Sequence, residues 1–150
     1  MNDSSPSLSA YADPTVMRHV LTTSHSIAVV GLSPRPDRPS HQVAIFLKAH
    51  GYRVIPVNPM ADEILGERCF PDLQAIGEPV DLVNVFRNPA DCPEIAAQAV
   101  ASGARALWLQ IGVISVEAAR TAAAAGLAVV MDRCTKIEHE RLLRTDPQHH

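Results

Sequence analysis

Ile27-Ala-Val-Val-Gly31 is an apolar run of four residues that ends in glycine. Such a short, uncharged run is typical of a strand that is buried on both faces, as in parallel sheets. Four comparable runs follow along the chain: Arg53–Val57, Asp81–Phe86, Ala106–Gln110 and Leu127–Met131. The regular recurrence of these runs predicts five strands of one sheet.

Helical segments separate these runs. One extends from Ser40 to His50 behind a predicted Ser40 cap, and an alanine-rich one lies between Ser115 and Gly126. Thr135 followed by Glu138 has the pattern of a capping box for a last helix. Strands and helices that alternate in this way are joined by right-handed crossovers. The sequence therefore predicts a three-layer, doubly wound, Rossmann-like α/β domain with a five-stranded parallel sheet.

Length and composition limit the class of protein. The 150 residues suffice for one domain, which we place at residues 13–145 behind a mobile, serine-rich tail at residues 1–12. A net charge of −3 provides no basic field for nucleic acid, and no apolar stretch reaches the length of a membrane span. The three cysteines lack metal-ligand spacing. We expect a cytoplasmic protein without metal, nucleic acid or membrane partners; a protein partner is left open.

The loop after the first run carries the elements of a phosphate site. Gly31 allows the backbone to approach a ligand closely. Hydroxyl groups come from Ser33 and Ser40, and guanidinium groups come from Arg35 and Arg38. The next helix begins here and presents its free N–H groups and the positive end of its dipole. This edge of the sheet, beyond the carboxyl ends of the strands, is where doubly wound domains bind their ligands.

The same loop argues against the commonest nucleotides. A dinucleotide fingerprint requires G-x-G-x-x-G, but here Gly31 is followed by Ser33 and Pro36. An NAD site also needs an acidic residue after the second strand, where this chain has Asn58. The P-loop pattern G-x-x-x-x-G-K-[ST] is missing from the sequence. The fold therefore indicates a nucleotide, whereas these residues disfavour both NAD and ATP hydrolysis.

Six motifs in order resemble those of the stand-alone CoA-binding domain family, over roughly residues 20–142. They are Ile27–Pro34 with Arg38–Ser40, Gly51–Pro59, Ile64–Glu67, Val80–Arg87, Ala106–Gly112 and Gly126–Cys134. The chain is also similar in fold to the CoA-binding half of the α subunit of succinyl-CoA synthetase. Agreement of several motifs at the right spacing makes this resemblance far more specific than a lone glycine pattern.

The resemblance implies a position for each part of coenzyme A. The phosphates are expected over the first loop, on Gly31, Ser33, Arg38 and Ser40. The pantetheine and adenosine are expected along the ends of the second and third strands, at Asn58, Pro59, Val85, Phe86 and Arg87. Relatives often have lysine after the Asn-Pro pair, where this chain has Met60. Arg35 and Arg87 are the natural substitutes for that missing cation.

Few residues suggest catalysis, and we assign no catalytic residue. Cys134 lies beside Arg133 at a helix start, a setting that favours thiolate, although a buried and inert thiol is the commoner case. His41, beside Ser40, is a candidate phosphate contact but is interpreted as an exposed residue at a helix start. His139 is interpreted as a surface residue because it has no metal-spaced partner. The favoured function is a stand-alone protein that binds CoA or acyl-CoA. The alternatives are a subunit of a CoA-dependent ligase and a redox- or NAD-responsive regulator.

Overall fold

The structure, a computed structural model, describes residues 8–143. Its main sheet has five parallel strands in the order β2-β1-β5-β6-β7. The strands are β1 (Ser26–Val30), β2 (Arg53–Val57), β3 (Glu63–Ile64), β4 (Glu67–Arg68), β5 (Leu82–Val85), β6 (Ala106–Leu109) and β7 (Ala128–Val130). The helices are α1 (Pro14–Thr23), α2 (Pro39–Ala49), α3 (Cys92–Ala101), α4 (Val116–Ala124) and α5 (Thr135–Leu143).

Two apolar clusters cover the faces of the main sheet, so the three-layer prediction is confirmed. Helices α3 and α4 pack on one face, and α1, α2 and α5 pack on the other. The strands are almost wholly buried, as the uncharged runs predicted. The chain passes from β1 to β2 on one side and then returns to place β5 on the other side of β1. The winding therefore reverses between β1 and β5, and a ligand crevice is expected beyond the carboxyl ends of these two strands.

The helix caps predicted at Ser40 and Thr135 are wrong, whereas Asp13 and Ser115 do cap their helices. The Asp13 carboxylate accepts the N–H of Thr15 at 2.8 Å, and the Ser115 hydroxyl accepts that of Ala118 at 3.2 Å. Ser40 lies inside α2, whose N-cap is Arg38. Thr135 is the first residue of α5, and its side chain is turned into the core. Ser40 and Thr135 form other hydrogen bonds, which are available only in the folded chain.

The end of the predicted tail differs from expectation. Leu8–Tyr11 form a 3-10 helix, and the Tyr11 carbonyl accepts the N–H of Met131 at 2.8 Å. Met131 follows β7, the edge strand, so its backbone has no strand partner on that side. Residues 1–7 of the predicted tail and residues 144–145 of the predicted domain lie outside the described residues. Among the residues that are described, no helix is long and apolar enough to cross a membrane.

A hairpin that the sequence did not predict follows β2. Strands β3 and β4 pair through a turn at Leu65 and Gly66, whose φ angles are +56° and +77°. Lys48 Nζ donates to the Leu65 carbonyl at 2.6 Å and so ties the turn to α2. Phe70 then runs parallel to β2, and its N–H donates to the Pro56 carbonyl at 3.0 Å. The hairpin thereby returns the chain to the carboxyl edge of the sheet.

His139 is half-buried rather than a surface residue. Its ring meets Phe46, His50 and Tyr52 edge-on, with ring centroids 5.3, 5.0 and 5.8 Å away. Burial, with a smaller contribution from His50, lowers the pKa of His139 below its usual value. The ring therefore packs in its neutral form, and it joins α5 to α2 instead of facing solvent.

Candidate functional site

The crevice at the winding reversal, beyond the ends of β1 and β5, is bounded by Gly31 and Arg87. Gly31 directly follows β1 with a φ of +88°, and its N–H donates to the Val57 carbonyl at 2.9 Å. A Cβ atom on Gly31 would lie only 2.5 Å from the Phe86 carbonyl oxygen and 3.0 Å from Arg87 Cδ. Glycine is therefore required here for both its backbone conformation and its size.

Ser40 and His41, in the first turn of α2, hold the loop after β1. The Ser40 hydroxyl accepts the N–H of Ser33 at 2.9 Å, and His41 Nδ1 lies 2.9 Å from the Ser33 carbonyl oxygen. His41 is 7% exposed, so its interpretation as a surface residue is wrong. The Ser33 carbonyl oxygen lies within hydrogen-bonding distance of Nδ1 and compensates for burying the His41 ring. No local sequence pattern predicts this contact. Both side chains therefore lie beneath the loop and hold the backbone of Ser33 in place.

Asn58 connects the loops after β1 and β2. Its Nδ2 donates to the Leu32 carbonyl at 2.9 Å, and its Oδ1 accepts the N–H of Met60 at 2.7 Å. Both ends of the amide are therefore occupied by the backbone, which makes Asn58 a structural tie between the two loops. Pro59 lies next to it on the cleft described below, and the Met60 side chain stands in solvent at 89% exposure.

The three arginines of the predicted site differ in their partners. Arg35 Nε lies 3.6 Å from Asp37, and Arg87 forms an ion pair with Asp91 at 3.0 Å. Arg38, which is exposed, has no carboxylate within 4.0 Å in the part of the chain that the structure describes. Arg38 is therefore the guanidinium of this group that is most available to an incoming anion.

A cleft of about 240 Å³ opens beside Gly31, on the face of the sheet that carries α3. Its walls come from the ends of β1 and β2, the segment after the hairpin and the start of α3: Val30, Gly31, Val57, Pro59, Pro71, Asp72, Leu73, Arg87, Ala90, Asp91, Glu94, Ile95 and Gln98. Three carboxylates and one guanidinium line it, so the cleft is acidic where the neighbouring loop is basic. The two sides of the site thus suit different chemical groups.

Seven of the ten predicted site residues lie at this edge with a group exposed toward it. The side chains of the other three are buried or packed on the opposite face of the sheet. Gly31, Pro59 and Arg87 line the cleft, and Ser33, Arg35 and Arg38 lie on the adjoining loop with Asn58 between them. Ser40 is buried under the loop. Val85 is fully buried in the core, and the Phe86 ring packs on the opposite face while its carbonyl meets Gly31.

The sequence did not predict the wall of the cleft formed by Pro71, Asp72 and Leu73. These residues reach the site only because of the hairpin, whose sequence has no hydrophobic periodicity that would predict it. Glu94 and Asp91 begin the helix after β5, and their position beyond a strand end was visible in the sequence. That signal could have added both carboxylates to the predicted site.

A second cleft, of about 370 Å³, lies at the opposite edge of the sheet. It is formed by the segment that precedes β5 and by the end of α3, including Gly77, Glu78 and Ser102. Its charged group, Glu78, is occupied by an ion pair with Arg53 at 3.0 Å. This cleft offers no cation to an anionic ligand and lies away from the winding reversal.

A buried polar network underlies the other end of the carboxyl edge. Asn84 Nδ2 donates to the Thr135 hydroxyl at 3.1 Å, and the backbone N–H of Thr135 donates to Gln110 Oε1 at 3.1 Å. Asn84 Oδ1 is the buried side-chain polar atom that lacks a partner among the described residues. The network ties the start of α5 to β5 and β6, and it explains why Thr135 does not cap the helix.

The three cysteines are all buried. Burial, with Asp91 close by, raises the pKa of the Cys92 thiol to about 11. Burial, aided by Asp62 and Glu63, likewise raises the pKa of Cys69. Both thiols stay protonated, and Cys134 at the start of α5 is 7% exposed. Within residues 8–143, no cluster of three or more His, Cys, Asp or Glu side chains could hold a metal ion.

These features define a Rossmann-like α/β protein with a crevice at its winding reversal. The family model described as "CoA binding domain" matches residues 25–140, and the chain belongs to this family. The resemblance found in the sequence is thereby confirmed.

Three relatives show how far the similarity extends. The uncharacterized protein YneT of Bacillus subtilis (strain 168) is 42% identical over 123 residues, which cover 82% of this chain and 91% of YneT. The structure of a hypothetical protein from Pyrococcus horikoshii OT3 superposes with a TM-score of 0.85 at 38% identity, covering 95% of this chain and 99% of that one. The ADP-forming acetate–CoA ligase II of Archaeoglobus fulgidus is 32% identical over 80 residues, which cover 52% of this chain and 12% of the ligase.

Proposed function

We propose that this protein binds CoA, or an acyl-CoA, at the carboxyl edge of its sheet as a stand-alone binding or regulatory protein. The observation that carries the proposal is the crevice at Gly31, with a basic loop on one side and an acidic, partly apolar cleft on the other. CoA has the same division, because its phosphates are anionic whereas its adenosine and pantetheine offer N–H and O–H donors and apolar surface.

The phosphates are assigned to the loop side. Arg38 is an exposed guanidinium without a carboxylate partner in the described chain, and its planar fork suits bidentate contacts to phosphate. It stands at the N-cap of the eleven-residue helix α2, whose dipole adds positive potential. Arg35 is less available because Asp37 lies 3.6 Å away. With a net charge of −3, the chain needs this local attraction.

The neutral parts of CoA are assigned to the cleft side. The carboxylates of Asp72, Asp91 and Glu94 repel phosphate but accept hydrogen bonds from ribose hydroxyls and amide N–H groups. Pro59 and Leu73 supply apolar surface beside them. At about 240 Å³ the cleft is smaller than the roughly 300–1,000 Å³ of a typical ligand pocket, so it accommodates only part of CoA. The remainder lies along the loops at the sheet edge.

A second candidate is a subunit of a CoA-dependent ligase. The 32% identity to part of the Archaeoglobus ligase favours it, since that enzyme's name states a reaction on CoA. The match covers 12% of the ligase, so any ligase activity of this chain would need further protein chains. Both candidates use the same CoA site.

Nucleotide choice tests the proposal. Asn58 stands where an NAD site needs a carboxylate, and its amide is already bonded to two backbone groups, so it offers little to a ribose diol. Calorimetric titration of the ligand-free protein is expected to show binding of CoA, with NAD giving no comparable heat. ADP, which shares the adenosine and pyrophosphate, serves as the matched control and is expected to bind more weakly than CoA. Tighter binding of NAD than of CoA would refute the proposal.

A further inference from the structure

The exposed loop after β1 has little regular structure, yet side chains of α2 hold its backbone at three points. The N–H of Ser33 is bonded to the Ser40 hydroxyl at 2.9 Å, and its carbonyl oxygen lies 2.9 Å from His41 Nδ1. Gln42 Nε2 donates to the Pro36 carbonyl. Consecutive side chains at the start of α2 therefore determine the shape of the loop.

His41 provides the contact to the Ser33 carbonyl. A carbonyl oxygen only accepts hydrogen bonds, so Nδ1 of His41 must carry the proton. The ring is 7% exposed, and the bond to Ser33 compensates for its lost hydration. Because Ser40 binds the N–H of the same residue, the peptide groups on both sides of the Ser33 Cα are fixed by side chains. A large rotation of either peptide group would break one of these two contacts.

We infer that His41 is a positioning residue for CoA, acting through Ser33 on the loop that meets the phosphates. The inference rests on the proposed function, because the advantage of a fixed loop is realised on binding. A loop that is already ordered presents Ser33 and Arg38 without an entropic cost of immobilising them when the ligand arrives. His41 itself is buried beneath the loop and makes no contact with the ligand in this account.

Three substitutions of His41 distinguish the effect of losing the hydrogen bond from the effect of losing the volume of the ring. Asparagine can place an amide N–H near the position of Nδ1, whereas glutamine places it nearer Nε2 and alanine offers none. His41→Ala and His41→Gln are expected to weaken CoA binding about 5- to 20-fold, and His41→Asn is expected to stay within about threefold of wild type. His19→Asn, on an exposed position of α1, is the matched control and should bind like wild type.

Amide hydrogen exchange at Ser33 in the ligand-free protein provides a second readout. His41→Ala and His41→Gln should speed its exchange about 5- to 20-fold, while His41→Asn should not. CoA binding unchanged in the alanine variant, or lost equally in the asparagine variant, would overturn the inference. If wild type fails to bind CoA, the proposed function fails, and exchange alone then decides whether His41 holds the loop. If His41→Ala does not fold, the comparison of asparagine with glutamine remains decisive.

Discussion

Replacing Gly31 by alanine is expected to lower the free energy of unfolding by about 2–5 kcal/mol. Two costs add at this position. The φ of +88° is a conformation that residues with a Cβ atom adopt with strain. The new methyl group would also lie 2.5 Å from the Phe86 carbonyl oxygen, which belongs to the backbone and cannot rotate away. Relief of this contact would separate β1 from the end of β5, where the crevice lies.

Gly112→Ala is the matched control. Gly112 lies in the loop after β6 at the same edge, and its φ of +82° is nearly the same. A Cβ atom there meets nothing within 4 Å, so only the conformational cost remains, about 1–2 kcal/mol. Urea unfolding of both variants measures the difference. Equal losses of stability would show that the close approach of Gly31 to the Phe86 carbonyl does not constrain residue 31. The geometry described for the crevice would then be wrong.

Arg38→Ala is expected to weaken CoA binding by roughly 10- to 150-fold, which corresponds to the loss of one charge-assisted contact. The chain has a net charge of −3, so local cations must attract the phosphates of CoA. Arg38 is exposed, and no carboxylate of residues 8–143 neutralises it. Isothermal titration calorimetry measures the change in affinity. The melting temperature should stay nearly constant, because the side chain supports no part of the core.

Arg35→Ala is the control for a change of charge on the same loop. Asp37 lies 3.6 Å from Arg35 and already balances part of its charge, so this substitution should cost less affinity than Arg38→Ala. The loss at both positions should shrink as salt is added, because exposed charges are screened. Binding of CoA by Arg38→Ala at wild-type strength would mean that the phosphates are held elsewhere.

The main sheet could be predicted from the sequence because its strands are short apolar runs that end in glycine or polar residues. All five were found within one or two residues of their observed bounds. Strands β3 and β4 were missed because two residues each are too few to show a period. The caps at Ser40 and Thr135 were wrong because each hydroxyl has another partner: Ser33 on the preceding loop for Ser40, and the network of Asn84 and Gln110 for Thr135.

The basic side of the site could be predicted, whereas much of the acidic side could not. The loop after β1 contains its glycine, serines and arginines within ten residues, so composition alone reveals it. The cleft draws on segments as distant as Val30 and Gln98, and only the topology joins them. The burial of individual side chains could not be predicted from the sequence either. Val85 was assigned from the family resemblance and His41 from its position at a helix start, but the packing of neighbouring elements buries both side chains.

The central claim is that CoA binds at the carboxyl edge of the sheet, over the crevice between β1 and β5. Titration of ¹⁵N-labelled protein with CoA, followed by two-dimensional NMR, tests this claim residue by residue. The amide signals of Gly31, Ser33 and Arg87 are expected to shift with one common binding curve. Those of Gly77 and Ser102, at the second cleft on the opposite edge, should stay in place. Shifts concentrated at Gly77 and Ser102, or no shifts at saturating CoA, would contradict the account.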